Sequence, residues 1–390
     1  MYDKDNTNTQ NNEIILSNAK LVFDDKITVG SVKIANGFIA DIAEGNMVAS
    51  GAIDCDGDYL SAGLIELHTD NVERHLQPRP GVKWPMQAAI LAHDAELVGV
   101  GITTVFDALR IGSITSSNRV IYKKYARDGV NEILALQDRG LFKASHHIHL
   151  RCEICSETLI EEIGEYSADD RIGIVSLMDH TPGQRQFRDT KQMETYLKGK
   201  YNMSDDEVAS HFLELYELQK KYKDPHMKAT QEFAQQIGAH IASHDDTTTE
   251  DVIESYNVGV SFAEFPTTVE AAKACAERNI QVMMGAPNLL RGHSHSDNVA
   301  AKTLVEHDLL NIMSSDYVPA SLLMAAVKLG DMIGNLPAAM KTVTGNPAMA
   351  TGLVDRGSLA LGKRADLITF NTKAQFPQVT SSWVKGKRVA

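Results

Sequence analysis

Residues 63–75 read GLIELHTDNVERH, an apolar run that ends in a cluster of polar and ionisable side chains. The GLIEL run is typical of a buried strand. The HTDNVERH segment that follows would be costly to bury unless its groups found partners. These groups must therefore be solvated, paired with one another, or holding a ligand, and the rest of the chain has to indicate which.

The same pattern recurs along the middle of the chain, where short apolar runs end in polar residues. Helix-like segments such as MQAAILAHDAELVGV lie between several of these runs. We predict eight strands, which are GLIELHTD, GITTVFDAL, HHIHLRCE, GIVSLMDH, HIASHDD, VSFAEFPT, QVMMGAPN and LNIMSSDY. Strands that alternate with helices over this length predict an α/β fold, a (β/α)₈ TIM barrel that spans residues 63–352.

The two ends of the chain have a different residue pattern from the middle. Residues 13–62 and 353–390 hold short β-rich runs separated by Asn-Gly and Gly turns. We predict that they form one small β-sandwich domain, preceded by a disordered polar tail at 1–12. An insertion at 181–238 separates the fourth and fifth barrel strands. A lid over the site and a surface helical hairpin are both open interpretations of it.

Composition narrows the functional classes. The formal net charge of −13 gives no support for nucleic-acid binding, so an anionic substrate would need local basic groups. Four cysteines do not make a disulfide framework in 390 residues. The N-terminal residues lack the apolar region of a signal peptide, and no apolar run reaches membrane-spanning length. We expect a cytoplasmic protein with no membrane partner, and self-association into a homo-oligomer is left open.

The carboxyl ends of the predicted barrel strands carry metal-ligand chemistry. These ends meet at one mouth, which is where barrel enzymes place their active sites. They hold His68 and Asp70, Asp107, Glu153, His180, His244 with Asp245, Glu264, and Asp316. Imidazole and carboxylate together suit Zn²⁺, Mn²⁺ or Fe²⁺. His68 and Asp70 face the same side of a strand and can grip one ion, so we predict one or two divalent ions, with Asp107 hydrogen-bonded to the ligands from behind.

Arginines follow several strand ends. They are Arg74, Arg79, Arg110, Arg151, Arg185, Arg188 and Arg291. The guanidinium fork suits phosphate oxygens, so this clustering in an acidic chain indicates a phosphorylated substrate. The Cys152-x-x-Cys155 pair has no second pair and is interpreted as structural. His295, in a Gly/Ser-rich loop, is predicted to contact substrate or to act as a general acid.

Several segments resemble a known family. GLIELHTD resembles the first-strand metal motif of the amidohydrolase superfamily, GITTV its second strand, and GKRADLITF the segment that re-enters its small β-domain. HTDNVERHLQPRPGVKWP, SLMDHTPGQRQF and MGAPNLLRGHSHSDNVAA narrow the resemblance to the PhnM family of the carbon–phosphorus lyase pathway. The first-strand motif is His-x-Asp rather than His-x-His, and Glu153 is the expected substitute for the carbamylated lysine of other members.

The resemblance implies a metal-dependent hydrolase that converts α-D-ribose 1-methylphosphonate 5-triphosphate to the 5-phosphate and diphosphate. A metal-activated water would attack the α-phosphorus. Metal ligands would be His68, Asp70, Glu153, His180, His244 and Asp316. Asp316, as proton acceptor, and His295 would be the catalytic groups. Substrate would be bound by Arg79, Lys83, Arg151, Arg185, Arg291 and His295. Two alternatives stay open: a deaminase or cyclic amidase of the amidohydrolase type, and a metal-free scaffold barrel.

Overall fold

The computed structural model describes residues 13–79, 81–114, 124–294, 296 and 298–390. The predicted N-terminal tail and His295 lie outside this part of the chain. Two eight-stranded sheets organise the described residues.

The strands fall into three groups along the chain. The first group is β1 (Glu13–Val22), β2 (Ile27–Ala35), β3 (Phe38–Glu44), β4 (Ile53–Asp54) and β5 (Tyr59–Ala62). The second is β6 (Leu64–Thr69), β7 (Ile102–Ile111), β8 (Ser145–Glu153), β9 (Ile172–Met178), β10 (His240–His244), β11 (Phe262–Glu264), β12 (Gln281–Gly285) and β13 (Ile312–Ser314). The third is β14 (Leu367–Asn371), β15 (Gln378–Val384) and β16 (Lys387–Arg388).

Helices connect the strands of the second group and cover them. They are α1 (Asn71–Leu76), α2 (Met86–Gly99), α3 (Ala126–Asp138), α4 (Leu159–Ile163), α5 (Thr190–Tyr201), α6 (Asp205–Ile237), α7 (Thr249–Asn257), α8 (Val269–Glu277), α9 (Ala286–Arg291), α10 (Ala301–Glu306), α11 (Ser321–Ile333), α12 (Leu336–Lys341) and α13 (Gly345–Ala350). Two short 3-10 helices lie at Ala168–Asp170 and Arg185–Phe187.

The second group of strands forms the barrel. Its strands lie in chain order from β6 to β13, each parallel to the next. Every residue of β6 is buried, as is usual for a parallel strand covered on both faces. All eight predicted strands are present, and the predicted TIM barrel is confirmed.

The barrel is nearly closed, and the gap in backbone hydrogen bonding lies between its first and last strands. Among the described residues, β13 and β6 share no backbone ladder. At one end of this seam, the connection between α12 and α13 bonds to both strands. Met313 N–H donates to Thr342 O, and Ile65 N–H donates to Val343 O, each at 2.9 Å. Side chains join the two strands at the other end, beside the cavity described below.

The second sheet combines strands from both ends of the chain, as predicted. Its order is β16-β15-β14-β5-β1-β2-β3, with β4 paired to β1. Leu16 and Leu21 from the N-terminal part share an apolar core with Leu367 and Trp383 from the C-terminal part. The two terminal segments therefore bury apolar side chains against each other. The domain boundaries at 13–62, 63–352 and 353–390 stay predictions.

Helices α5 and α6 make up most of the insertion between β9 and β10. They share a small apolar cluster with Ile114, which follows β7, and the helices contribute Met193, Leu197, Val208, Leu215 and Leu218. Ser204 and Glu207 form a capping box at the start of α6. None of the described helices has both the length and the apolar character that a membrane crossing requires.

Candidate active site

A cavity of about 830 Å³ opens at the carboxyl ends of the barrel strands. Its floor comes from strand ends, and part of its wall comes from α5 and α6. This is the position at which barrels of this type hold their catalytic groups. The cavity is lined by all six predicted metal ligands, which are His68, Asp70, Glu153, His180, His244 and Asp316.

Three buried side chains converge beside the cavity, and we call them the strand-end cluster: His68, His244 and Glu264. His68 and His244 line the cavity, whereas Glu264 contacts both from outside its described lining. Glu264 Oε2 lies 3.0 Å from His68 Nδ1 and 3.0 Å from His244 Nδ1. One potential ligand atom from each residue lies within 4.8 Å of the others. His68 Nδ1 and Glu264 Oε1 have no hydrogen-bond partner among the described residues. Such an arrangement can hold a cation.

A second group shares His244. His180, His244 and Asp245 also bring potential ligand atoms within 4.8 Å of one another. Glu153 stands next to this group, with its Oε2 2.5 Å from His180 Nδ1. Of the six predicted ligands, His68 belongs to the first group, His180 to the second and His244 to both, an arrangement that suits two neighbouring ions.

Burial sets the protonation of the floor histidines. Burial, followed by the charge of Arg151, holds the pKa of His68 well below its usual value. Burial also lowers the pKa of His244 to about 3, against the opposing effect of Glu264. Both imidazoles are therefore neutral near pH 7, which is the form that ligates metal.

Two carboxyl groups of the floor, Asp245 and Asp316, lack enough neighbouring positive charge to offset their burial. Burial and the neighbouring Asp70 raise the pKa of Asp316 to about 8. Burial likewise raises the pKa of Asp245 well above its usual value, although Arg185 opposes the shift. A bound divalent cation would relieve both effects, because it supplies the missing charge. Orphaned donor atoms, neutral imidazoles and surplus carboxylates together fit a metal centre.

Strained backbone marks the same strand ends. Asp245, Phe265 and Asp316 have φ values of 58°, 56° and 55°, in the left-handed region. For an aromatic residue such as Phe265 this conformation is rare. Its ring packs edge-on against His68 and His244, with centroids 5.1 and 5.5 Å away. Such strain clusters at functional sites, where surrounding structure compensates its cost.

Two partly buried arginines stand among the floor carboxylates. Arg151 Nη1 lies 3.5 Å from Asp70 Oδ2, and Arg110 Nη2 lies 3.0 Å from Glu153 Oε2. Burial acts to raise the pKa of Glu153, but the charge and hydrogen bond of His180, followed by the charge of Arg110, hold it below its usual value. Arg291, at the end of α9, lines the cavity from another side.

The other predicted substrate contacts lie elsewhere. Arg79 and Lys83 are exposed and do not belong to the described cavity lining. Arg185 is buried, and its NH1 donates to Asp246 Oδ1 at 2.7 Å and to His244 O at 2.8 Å. These bonds fasten the end of β10. Substrate binding by Arg79, Lys83 and Arg185 stays a prediction.

Asp107 does not back up the ligands as we expected. It belongs to a separate set that we call the buried ion network: His93, Asp94, Asp107 and His146. Asp107 Oδ1 lies 3.0 Å from His93 Nε2, and its Oδ2 lies 2.7 Å from His146 Nδ1. The expectation failed because the Asp107 side chain pairs with His93 on α2 instead of with a cavity-lining group.

Sequence reasoning underrated three residues. Glu264 was recognised at a strand end but not chosen as a ligand, although it occupies the same position in its unit as Glu153. Glu66 was overlooked, although a charge inside a buried strand two residues before His68 was a visible signal. Phe265 carried no signal, because its role depends on a backbone conformation that the sequence does not display.

Comparison with known proteins agrees with this geometry. A family model described as "Amidohydrolase family" matches residues 177–390. The chain is 41% identical over 379 residues to α-D-ribose 1-methylphosphonate 5-triphosphate diphosphatase of Escherichia coli (strain K12), covering 96% of this chain and 100% of that protein. It is 22% identical to adenine deaminase of Ligilactobacillus salivarius (strain UCC118), covering 97% of this chain and 57% of that protein.

A solved structure shares the fold. The crystal structure of N-acetylglucosamine-6-phosphate deacetylase from Pasteurella multocida matches with a TM-score of 0.63 at 14% identity. The match covers 97% of this chain and 100% of that one. The parallel barrel, the second sheet built from both termini, the family match and the near full-length relative lead to one conclusion: the chain belongs to the amidohydrolase family.

Proposed function

We propose that the protein is a metal-dependent hydrolase that cleaves α-D-ribose 1-methylphosphonate 5-triphosphate to the 5-phosphate and diphosphate. The substrate is suggested by the E. coli relative of that name, which matches along its whole length. The four cysteines are free and buried, which suits a reducing compartment such as the cytoplasm.

One observation carries the proposal: neutral imidazoles, carboxylates and arginines converge on the floor of a single cavity. A divalent cation, when bound, supplies positive charge and shifts the ionisation of water toward neutral pH. His68, Asp70, Glu153, His180, His244 and Asp316 would hold it, as the sequence predicts. Glu264 joins them because it lies between His68 and His244. We expect Zn²⁺, Mn²⁺ or Fe²⁺ from this donor set.

Asp316 is proposed as the proton acceptor. Its backbone position is fixed on both sides, because its N–H donates to Ser314 Oγ at 3.1 Å and its carbonyl accepts from Thr69 Oγ1 at 2.6 Å. The side chain lines the cavity next to the candidate ligands, where it can orient an attacking water. Water would then attack the α-phosphorus, and diphosphate would leave.

The arginines suit the charge of the substrate. Arg110 and Arg151 lie beside the candidate ligands, where they can contact the phosphoryl oxygens on which charge builds. Arg291 and Lys191 also line the cavity and can bind the rest of the triphosphate. A deaminase or cyclic amidase acting on a neutral ring would have no use for these cations.

The test is phosphorus NMR of the purified protein mixed with the ribose methylphosphonate triphosphate, with added metal and with chelator. We expect metal-dependent release of diphosphate, lost in His68→Ala and in Asp316→Asn. Orthophosphate alone would move the attack to the γ-phosphorus. No turnover by metal-replete protein would refute the proposal and favour a C–N hydrolase or a scaffold. An Asp316→Asn variant with its metal and full rate would refute the proton-acceptor role.

A further inference from the structure

Glu66 is a fully buried acid on β6, two residues before His68. The described ion pairs include none made by Glu66, although a lone buried carboxyl is costly. It does not line the cavity, and its described hydrogen bonds reach no candidate ligand side chain, so it has no direct part in the proposed chemistry. Its burial therefore needs another explanation.

The Glu66 carboxyl collects three hydrogen bonds from two strands. Oε1 accepts from the His68 backbone N–H at 2.7 Å and contacts Ser314 Oγ at 2.6 Å. Oε2 accepts from the Ser315 backbone N–H at 2.5 Å. His68 follows it on β6, whereas Ser314 and Ser315 stand at the end of β13. The side chain therefore bridges the seam where the barrel lacks a ladder.

Ser314 extends this bridge to the backbones of His68 and Asp316. Its Oγ lies 2.7 Å from His68 O and accepts from the Asp316 N–H at 3.1 Å. Across the same seam, Thr69 Oγ1 donates to Asp316 O at 2.6 Å. The backbones of His68 and Asp316 are therefore tied to each other through side chains.

Backbone pairing alone does not fix this part of the barrel. The register of β6 against β7 is irregular between Glu66 and Thr69, which leaves His68 in a bulge. Bulges commonly re-aim a side chain beside an active site. On its other side β6 has no ladder to β13. His68 thus lies on the least constrained stretch of its strand, and the Glu66 bridge supplies the missing constraint.

We propose that Glu66 is a positioning residue that sets the placement of His68 relative to Asp316 across the seam, and thereby the affinity of the metal centre. This inference rests on the proposed metal site. A carboxyl is required because donors converge on both of its oxygens. Glutamine offers one acceptor oxygen, so its amide N–H would face a backbone N–H at one of the two positions.

The experiment compares Glu66→Gln with Ser314→Ala and with a matched control, Glu162→Gln. Glu162 is also a buried acid that accepts hydroxyl hydrogen bonds, from Thr158 and Ser113, but it lies on α4 and outside the described cavity lining. Metal-free protein is titrated with Co²⁺ and followed by visible absorption. Thermal unfolding, kcat and KM are measured on the same samples.

We expect Glu66→Gln to weaken Co²⁺ binding about 10- to 100-fold, the usual effect of removing a group that orients ligands. The Co²⁺ spectrum should change and kcat should fall, while KM changes less than about threefold. Ser314→Ala should also weaken Co²⁺ binding and lower kcat. Glu162→Gln should lower the unfolding temperature and leave Co²⁺ affinity unchanged.

Unchanged Co²⁺ affinity and spectrum in a folded Glu66→Gln variant would overturn the inference and leave Glu66 a purely structural residue. If Glu66→Gln does not fold, Ser314→Ala decides in the same way. Wild-type protein that binds no Co²⁺ and has no turnover would instead overturn the metal site itself. If the wild type binds Co²⁺ and Glu66→Gln binds it equally well, only the positioning role of Glu66 is overturned.

Discussion

The strand-end cluster and the buried ion network are both built from imidazole and carboxylate groups, but they differ in protonation. In the network, the pKa of His146 rises to about 9, because Asp107 and Asp94 outweigh the effect of burial. In the cluster, burial lowers the pKa of His68 and His244. Convergence of histidine and carboxylate therefore does not by itself identify a metal site.

The two sets also differ in how completely their atoms are satisfied. His146 Nδ1 contacts Asp107, and its Nε2 lies 3.2 Å from Asp94. Asp94 in turn accepts backbone N–H groups of Lys143 and Ala144. In the cluster, His68 Nδ1 and Glu264 Oε1 lack hydrogen-bond partners among the described residues. Unsatisfied ligand atoms beside a cavity are available to a metal ion, whereas the atoms of a saturated network are already paired and suit a structural role.

Glu264→Gln should produce the largest effect, because it removes the charge between His68 and His244. We expect at least about a 1,000-fold loss of diphosphate release, as suits the loss of several kcal/mol of charge stabilisation. Metal content of the purified variant should fall as well. Phosphorus NMR and elemental analysis measure the two quantities.

Asp94→Asn is the matched control for this substitution, since it neutralises a buried acid of the ion network. Its metal content should equal that of the wild type. Equal metal loss in both variants would show that the strand-end cluster and the ion network act as one unit.

The sequence predicted the barrel because each strand shows an apolar run that ends in polar groups. The strand ends supplied a longer set of candidate ligands because such ends meet at one mouth, and the family resemblance selected six of them, which stay predictions. Arg185 shows the limit of this reasoning. It follows a strand end like the other arginines, yet it is buried against Asp246, 61 residues further along the chain. Nothing local distinguishes a buried pair of this kind from an arginine that faces a cavity.

Asp107→Asn should mainly affect stability. It leaves His146 with one carboxylate instead of two and disturbs the bond to His93. Breaking a buried ion pair costs about 3–5 kcal/mol. We expect the free energy of unfolding to fall by that amount in chemical denaturation, with the metal content of the folded protein retained. If Asp107→Asn loses its metal but keeps the stability of the wild type, Asp107 supports the metal ligands as first expected.

The raised pKa of His146 predicts a pH dependence of stability. In the unfolded chain this histidine has its ordinary pKa of 6.5, and in the folded protein about 9. Its stabilising contribution is therefore complete below pH 6.5 and is lost as the pH rises through 9. The loss is on the order of 3 kcal/mol. Denaturation at a series of pH values should show it in the wild type and not in His146→Gln.

Asn71→Ala should have the smallest effect, and it tests whether the two sets are independent. Asn71 follows the candidate ligand Asp70, and its Nδ2 lies 3.0 Å from His93 Nδ1 and donates to Glu96 Oε2 at 2.8 Å. Losing these buried bonds should lower the free energy of unfolding by about 1–3 kcal/mol.

If the sets are independent, Asn71→Ala should leave metal affinity nearly unchanged. Its effect on activity should also add to that of a milder cluster variant, Glu264→Asp, within about 0.5 kcal/mol. A larger coupling energy would mean that the ion network acts on the metal centre through α1. The strand-end cluster and the ion network would then be coupled in spite of their different protonation. Asn71 would provide the link, because it follows the candidate ligand Asp70 and contacts His93 of the network.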